Sequence, residues 1–464
     1  MRWVGIALLV SACGPTVAGG SGESGGSGTG RTSATTSGTT SPPPYDAGDV
    51  AIDLGTRDPD SSTSSSSTGD DDGGGCFVGP LPDVGDQLEN CVQPEPTEQA
   101  ASCGDGVLTP GELCYRGAVS RCWSDGGYTG MLLADFGHGP AVGYVRESGH
   151  ELWLLPATIG GMLGGPCVVD LGDGGLDYVH GIGAIELDDD GDDDLVVSLS
   201  DNRNAVLAAY RNDGAAEFAL AAISDAPRLA FARPAETNGV PPLDVIALAE
   251  YSTELWFLAL ASDGAATLVK SVTMRGDYLD IVMHSIADVD GDGLADVALL
   301  AYEWKANESE ILLVLGASAD GTAPTSILVG AGPTVGTPTL GRFDDDATVD
   351  LVYALDDELV FRAGLGDGTF GPEVMTGFLI DTFGVDAIDL DGDGRAELIG
   401  HGELVSFAAD GMPLEHVSFD PGQLNYAMRQ VEAAELNGDG LLDLVFLTDG
   451  GQKYPSLHLV LSNP

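Results

Sequence analysis

The sequence predicts an all-β fold, a seven-bladed β-propeller of about 50-residue repeats, preceded by a disordered tether and a small disulfide-rich module. Three observations predict the propeller. An acidic loop followed by an apolar run recurs seven times between residue 129 and the C-terminus. Each recurrence is followed by a second apolar run and, in most units, by an Asp-Gly turn that leads to a further strand. Helical periodicity is almost absent from the region, so each unit holds about four short strands. Four strands per unit of this length is one propeller blade.

Taken in order, residues 1–12 read as an export signal. Met1 and Arg2 open it, an apolar stretch runs from Trp3 to Val10, and small residues lead to Cys13. The stretch is too short to span a bilayer. Val10-Ser11-Ala12-Cys13 resembles the bacterial lipobox, and the resemblance implies that Cys13 becomes a lipidated N-terminus. The alternatives are an ordinary secretory signal or a free cysteine.

Residues 13–75 are Gly, Ser, Thr, Pro and Asp with few large apolar side chains, so they cannot bury enough surface to offset the entropy of ordering. They are expected to be a disordered tether that spans about 40 to 50 Å. Residues 76–128 follow as a cysteine-rich module. The chain has seven cysteines: Cys13, Cys76, Cys91, Cys103, Cys114, Cys122 and Cys167. Setting Cys13 aside leaves six, which fits three disulfides in an oxidising compartment with the pairing left open. Within the module, Cys103 to Cys114 (CGDGVLTPGELC) resembles a short repeat of myxobacterial surface proteins, and Tyr115-Arg116-Gly117 departs from it.

The propeller region, 129–464, carries the chemistry. Four loops share one frame: Glu186 to Asp194 (ELDDDGDDD), Asp288 to Asp296 (DVDGDGLAD), Asp389 to Glu397 (DLDGDGRAE) and Glu435 to Asp443 (ELNGDGLLD). Arg342 to Asp350 (RFDDDATVD) is weaker. Glu236 to Asp244 (ETNGVPPLD) is degenerate, and Asp135 to Gly143 (DFGHGPAVG) keeps only the position and the strand after it. First positions fall at 135, 186, 236, 288, 342, 389 and 435, a mean step of 50 residues. The last unit stops after its third strand, so the missing strand is expected from Gly117 to Trp123. A disulfide from Cys167 back to the cysteine-rich module would reinforce that closure.

Alternate residues of a tight loop can aim oxygens at one point, and calcium takes six to eight oxygens at about 2.3 to 2.6 Å. The expected ligands are Glu186, Asp188, Asp190 and Asp194; Asp288, Asp290, Asp292 and Asp296; Asp389, Asp391, Asp393 and Glu397; and Glu435, Asn437, Asp439 and Asp443. Asp344, Asp346 and Asp350 are a fifth candidate set, with Arg342 where a ligand belongs. Polar hairpin turns explain Asp and Gly singly but not three or four carboxylates together, which repel without a cation. Magnesium fits a carboxylate-rich cage less well than the larger ion.

These units resemble the FG-GAP and VCBS repeats of integrin α-subunit-like propellers, and Gly366-Asp367-Gly368-Thr369-Phe370 is similar to the family's passage into the outer strand. The resemblance implies a structural role for the metal and a ligand face opposite the metal loops.

Charge and motifs narrow the function. With 73 Asp plus Glu against 18 Lys plus Arg, a net charge of −55 argues against a nucleic-acid partner. Halophilic adaptation is the bland alternative, set against acids clustered at fixed positions. His138, His150, His180, His284, His401, His416 and His458 show no catalytic spacing, and no nucleophile elbow is present. Trp153, Trp256 and Trp304, with Tyr251 and Tyr302, can stack on sugars but as strand aromatics suit the space between blades. The expectation is a monomeric, calcium-binding, non-enzymatic module at a bacterial outer membrane or cell surface. It meets the membrane only through its lipid anchor and binds an extracellular protein or glycan. A polysaccharide-active enzyme and a purely structural envelope protein are the alternatives.

Overall fold

The computed structural model describes Pro96–Thr97 and residues 114–462, apart from connections at 123–127, 147–149, 159–161, 165–166, 172–177, 201–204, 241–242, 250–252, 275–277, 304–307, 317–324, 333–334, 380–383, 401–402, 420–427 and 449–455 and positions 138, 189 and 215. The chain divides into two units, Met1–Ser65 and Ser66–Pro464, and every described residue belongs to the second. The export signal, the lipidation candidate Cys13, the tether and Cys76, Cys91 and Cys103 lie outside the described residues.

Seven antiparallel sheets follow one another along the chain. Blade two shows the pattern: Tyr178–Ile185, Asp194–Ser200, Ala205–Asn212 and Phe218–Asp225 pair in sequence order, each strand with the next. Innermost strands of successive blades begin at Tyr128, Tyr178, Leu229, Tyr278, Thr339, Gly384 and Met428.

Why the middle strands read as continuous apolar runs becomes clear from the packing. Asp244–Ala249 presents Val245 and Ala247 to blade two, and Ile246 and Leu248 to blade four. Both faces are buried, so the in-out alternation of a one-faced sheet is lost. Outer strands keep it: Phe218–Asp225 alternates between partly buried and exposed positions over most of its length.

Seven separate apolar clusters result, one between each pair of neighbouring blades. The seventh joins the last blade to the first, where Leu436, Val445 and Leu459 meet Met131, Val142 and Leu155. The array is therefore a closed ring. On the innermost strands, Gln430 accepts the Met131 N–H at 2.9 Å and donates to the Met131 carbonyl at 2.6 Å. Register shifts at Gly130, Gly181, Arg233, Ser285, Asp386 and Gln430 give six of the seven innermost strands a bulge, which sharpens their bend near the axis.

The expected closure is present. Tyr115–Cys122 pairs antiparallel with Ser456–Ser462 and supplies the outer strand of blade seven. This moves the propeller boundary: a limit at residue 129 leaves the strand in the cysteine-rich segment, whereas the sheet takes it into the ring. Pro96–Thr97 also joins the propeller, pairing with Phe419 and Ser418 at the outer edge of blade six. Cys114 and Cys167 are each disulfide-bonded. Every other cysteine lies at or before position 122, so the Cys167 bond ties blade one to chain that precedes it.

Candidate metal centres on one rim

Each acidic loop joins the innermost strand of a blade to its second strand, so all seven loops open on one rim. The first-position acid shapes the loop by accepting backbone N–H groups. Asp288 takes those of Gly291 and Gly293, at 2.8 and 3.0 Å. Both glycines are left-handed, with φ of 75° and 85°, a turn that side chains disfavour. Asp389, Glu186 and Glu435 cap their loops in the same way.

The ninth-position acid is a clasp between loop and sheet. Asp194, Asp244, Asp296, Asp350, Glu397 and Asp443 are all at 0 or 1% exposure. One oxygen accepts the N–H of the second loop residue: Leu187 at 2.8 Å, Val289 at 2.8 Å, Phe343 at 2.9 Å, Leu390 at 2.7 Å and Leu436 at 3.0 Å. The other accepts an N–H from beyond or at the end of the third strand: Asn212 at 2.7 Å, Leu260 at 3.1 Å, Gly316 at 2.6 Å, Gly364 at 2.8 Å and Ser462 at 2.8 Å. In blade three the Thr237 hydroxyl donates to Asp244 alongside the Thr237 backbone N–H.

Burial costs these carboxylates dearly. It pushes Asp194, Asp296, Asp350 and Asp443 up to about 6 and Glu397 up to about 8, against the backbone donors and with the help of neighbouring acids. A divalent cation would reverse that balance.

First, third and ninth positions converge in blades two, four and six, and third, fifth and ninth positions in blade five. Glu186, Asp188 and Asp194; Asp288, Asp290 and Asp296; Asp344, Asp346 and Asp350; and Asp389, Asp391 and Glu397 each bring one oxygen apiece within 4.8 Å of one another. All the donors are carboxylates, a set that fits a hard cation. Blade five, the weakest of the five by sequence, is among them, because Arg342 turns its guanidinium to the Asp346 carbonyl at 3.4 Å. In blade seven an amide intervenes instead: Asn437 Nδ2 donates to Asp439 at 2.9 Å and to Asp443 at 3.2 Å.

In blades two, four and six the fifth-position acids are not among these groups. Asp190 accepts the Asp192 N–H at 3.0 Å and Asp292 the Leu294 N–H at 2.9 Å. Asp393 pairs with Arg395, whose other nitrogens reach Asp345 of the blade-five loop at 2.6 Å and the Phe407 carbonyl at 3.0 Å. Arg211 lies against Asp188, with Nε 2.7 Å from Oδ2. Spacing could not reveal either arginine contact, since Arg211 and Asp345 each come from a separate segment.

Neighbouring loops also touch. The N–H groups of Asp193, Ala295 and Ala396 donate to the carbonyls of Asp135, Glu236 and Arg342, at 2.8, 2.7 and 2.6 Å. Each converging loop of blades two, four and six thus leans on the less regular loop before it, which gives the degenerate loops a bracing role.

Elsewhere, the described histidines have local partners. His150 sits 3.3 Å from Asp170, His180 2.6 Å from Ser200 and His416 3.5 Å from Glu403, and burial pushes His458 down to about 4. Trp153 and Trp256 are partly buried against the interblade clusters, and each indole donates to the glutamate two residues earlier, Glu151 and Glu254, at 3.2 Å. Tyr302 is at 36% exposure; His138, His401, Trp304 and Tyr251, and the His284 side chain, lie outside the described residues.

No family model matches this chain, and no curated protein matches it. Among solved structures, it is similar to a catalytically inactive virginiamycin B lyase from Staphylococcus aureus with quinupristin, at 11% identity over 74% of this chain and 99% of that one, with a TM-score of 0.42. It is also similar to a protein from Lactobacillus plantarum, at 13% identity over 63% of this chain and 87% of that one, with a TM-score of 0.38. The propeller assignment stands on the sheet order and the seven interblade clusters.

Proposed function

We infer that this protein is a calcium-stabilised propeller that binds an extracellular protein or glycan, held outside the cell by a lipid at Cys13. The observation that carries the reading is the convergence of three loop carboxylates in four blades, at the same three positions in blades two, four and six. Carboxylates this close repel one another, and the ninth-position acid is buried as well, so a bound divalent ion relieves two costs at once. Calcium suits oxygen donors from a flexible loop better than magnesium does.

In this reading the ion does no chemistry. Glu186, Asp288 and Asp389 would hold it from the turn, Asp194, Asp296 and Glu397 from the sheet, and Asp188, Asp290 and Asp391 between them; in blade five Asp344, Asp346 and Asp350 would do so from the third, fifth and ninth positions. An ion bound only by the folded ring adds stability by mass action, about 2.7 kcal/mol at a hundredfold excess over its dissociation constant.

Melting of the purified protein in calcium and in chelator tests the metal part, and a raised melting temperature in calcium is expected. Glycan arrays and pull-downs of envelope proteins, run with and without calcium, test the recognition part. Identical melting under both conditions would refute the metal reading, and silence in both screens would favour a structural envelope role.

A further inference from the structure

The blade-two site carries two features that its loop frame does not contain, and both come from the end of the third strand, Ala205–Asn212. The first is Arg211. Its Nε lies 2.7 Å from Asp188 Oδ2, and its Nη2 donates to the Ser262 carbonyl of blade three at 3.0 Å. The Arg211 side chain is at 34% exposure, while its Nε is buried against Asp188.

The second is Asn212, which is at 0% exposure. Its N–H donates to Asp194 Oδ1 at 2.7 Å, and its Nδ2 to the Asp193 carbonyl at 3.3 Å. Its Oδ1 is buried and has no hydrogen-bond partner among the described residues, as is also true of Asp188 Oδ1. Flipping the amide does not resolve this, because it would set Oδ1 against the Asp193 carbonyl. Asp188 converges with Asp194, and the Asn212 backbone is bonded to Asp194, so both residues that carry a buried unpaired oxygen adjoin the same carboxylate, where a cation would satisfy them.

Resting on the reading that these loops hold calcium, we propose that blade two is an arginine-gated calcium site: Arg211 is the resident counter-charge of Asp188 and yields it when the ion arrives, and Asn212 Oδ1 becomes a ligand from outside the loop. Binding there exchanges an ion pair for a metal bond. Blade four makes no such exchange, since among the described residues Asp288, Asp290 and Asp296 face no basic side chain. Blade two therefore fills after blade four as calcium rises, and the rim responds to calcium in steps.

Calcium titration of the full-length protein by calorimetry and equilibrium dialysis tests the proposal. Arg211→Gln is expected to tighten one site per chain by roughly fivefold, the upper range for a partly exposed ion pair, and to leave the others unchanged. Asp188→Asn is expected to remove that same site and to abolish the effect of Arg211→Gln. Asn212→Leu is expected to weaken it; should that variant fold poorly, Asn212→Asp keeps the oxygen while losing the Nδ2 donor and retains binding. If calcium binds but Arg211→Gln shifts no site, or Asn212→Asp loses the site, the gate is refuted while the calcium reading stands. Absence of any calcium binding refutes both.

Discussion

Asp244 separates a structural acid from a metal ligand, because it belongs to a loop without a converging carboxylate set and is nevertheless fully buried. Its oxygens accept the Leu260 N–H at 3.1 Å and the Thr237 hydroxyl, and both donor residues are buried. In Asp244→Ala both donors lose a charged acceptor. Hydrogen bonds to a charged group are worth about 1.5 to 3 kcal/mol each, so the loss is about 3 to 5 kcal/mol, with the relief of a buried charge favouring the lower end. Unfolding a ring of about 350 residues has an entropy near 0.7 kcal/mol per degree, so the melting temperature should fall by about 4 to 7 °C. Calorimetry in calcium and in chelator should give the same drop. Asp290→Asn should behave in the opposite way, leaving melting in chelator unchanged while reducing the gain that calcium gives. A shift of Asp244→Ala below about 1 °C, or one confined to calcium, would refute the clasp argument.

Three further outcomes follow from the same geometry. Tyr115, 4% exposed on the closing strand, packs with Leu390, Phe446 and Val460, so Tyr115→Ala should cost about 3 to 5 kcal/mol in urea unfolding and expose the Tyr115–Cys122 strand to protease; unchanged urea midpoint and cleavage would contradict the packing. In chelator, stability should rise as pH falls from 7 toward 4: the aspartates held at about 6 and Glu397 at about 8 take up protons more readily folded than unfolded. His458, held at about 4, opposes this below its unfolded value near 6.5, so His458→Gln should show a larger rise, and a melting temperature that drops in that variant would count against the carboxylate account. Gly411→Ala should destabilise blades five and six together, since a β-carbon there would run into the Phe361 ring and the residue has a φ of 75°; wild-type melting would show that the turn can retreat.

The sequence revealed most of the ring because its repeats are in phase with its chemistry. Loop, apolar run and Asp-Gly turn recur together, and the final unit lacks a strand that the segment near Gly117 has the right pattern to supply. What spacing could not give is any contact that crosses from one segment to another. Pro96–Thr97 has no strand signature and pairs only because blade six leaves an edge beside it. The pairing of Arg395 with Asp345 depends on two loops being laid side by side. The degenerate loop of blade three keeps Asp244 for the sheet's sake, which a search for ligands reads as a decayed metal site. Blade five looked poorer than blade seven because a list of residue types does not show which way Arg342 and Asn437 point.

The contact between Met131 and Gln430 joins positions 299 residues apart, and the strand that completes the last sheet precedes all the other strands of the ring in the chain except Pro96–Thr97. During synthesis the Tyr115–Cys122 strand therefore emerges early and has no mate until Ser456–Ser462 leaves the ribosome. A chain cut short at any internal point keeps an unmated edge and a bare interblade face. Completion of the circle is in effect a length check: only a fully translated copy hides its sticky surfaces, and prematurely terminated ones remain open to degradation.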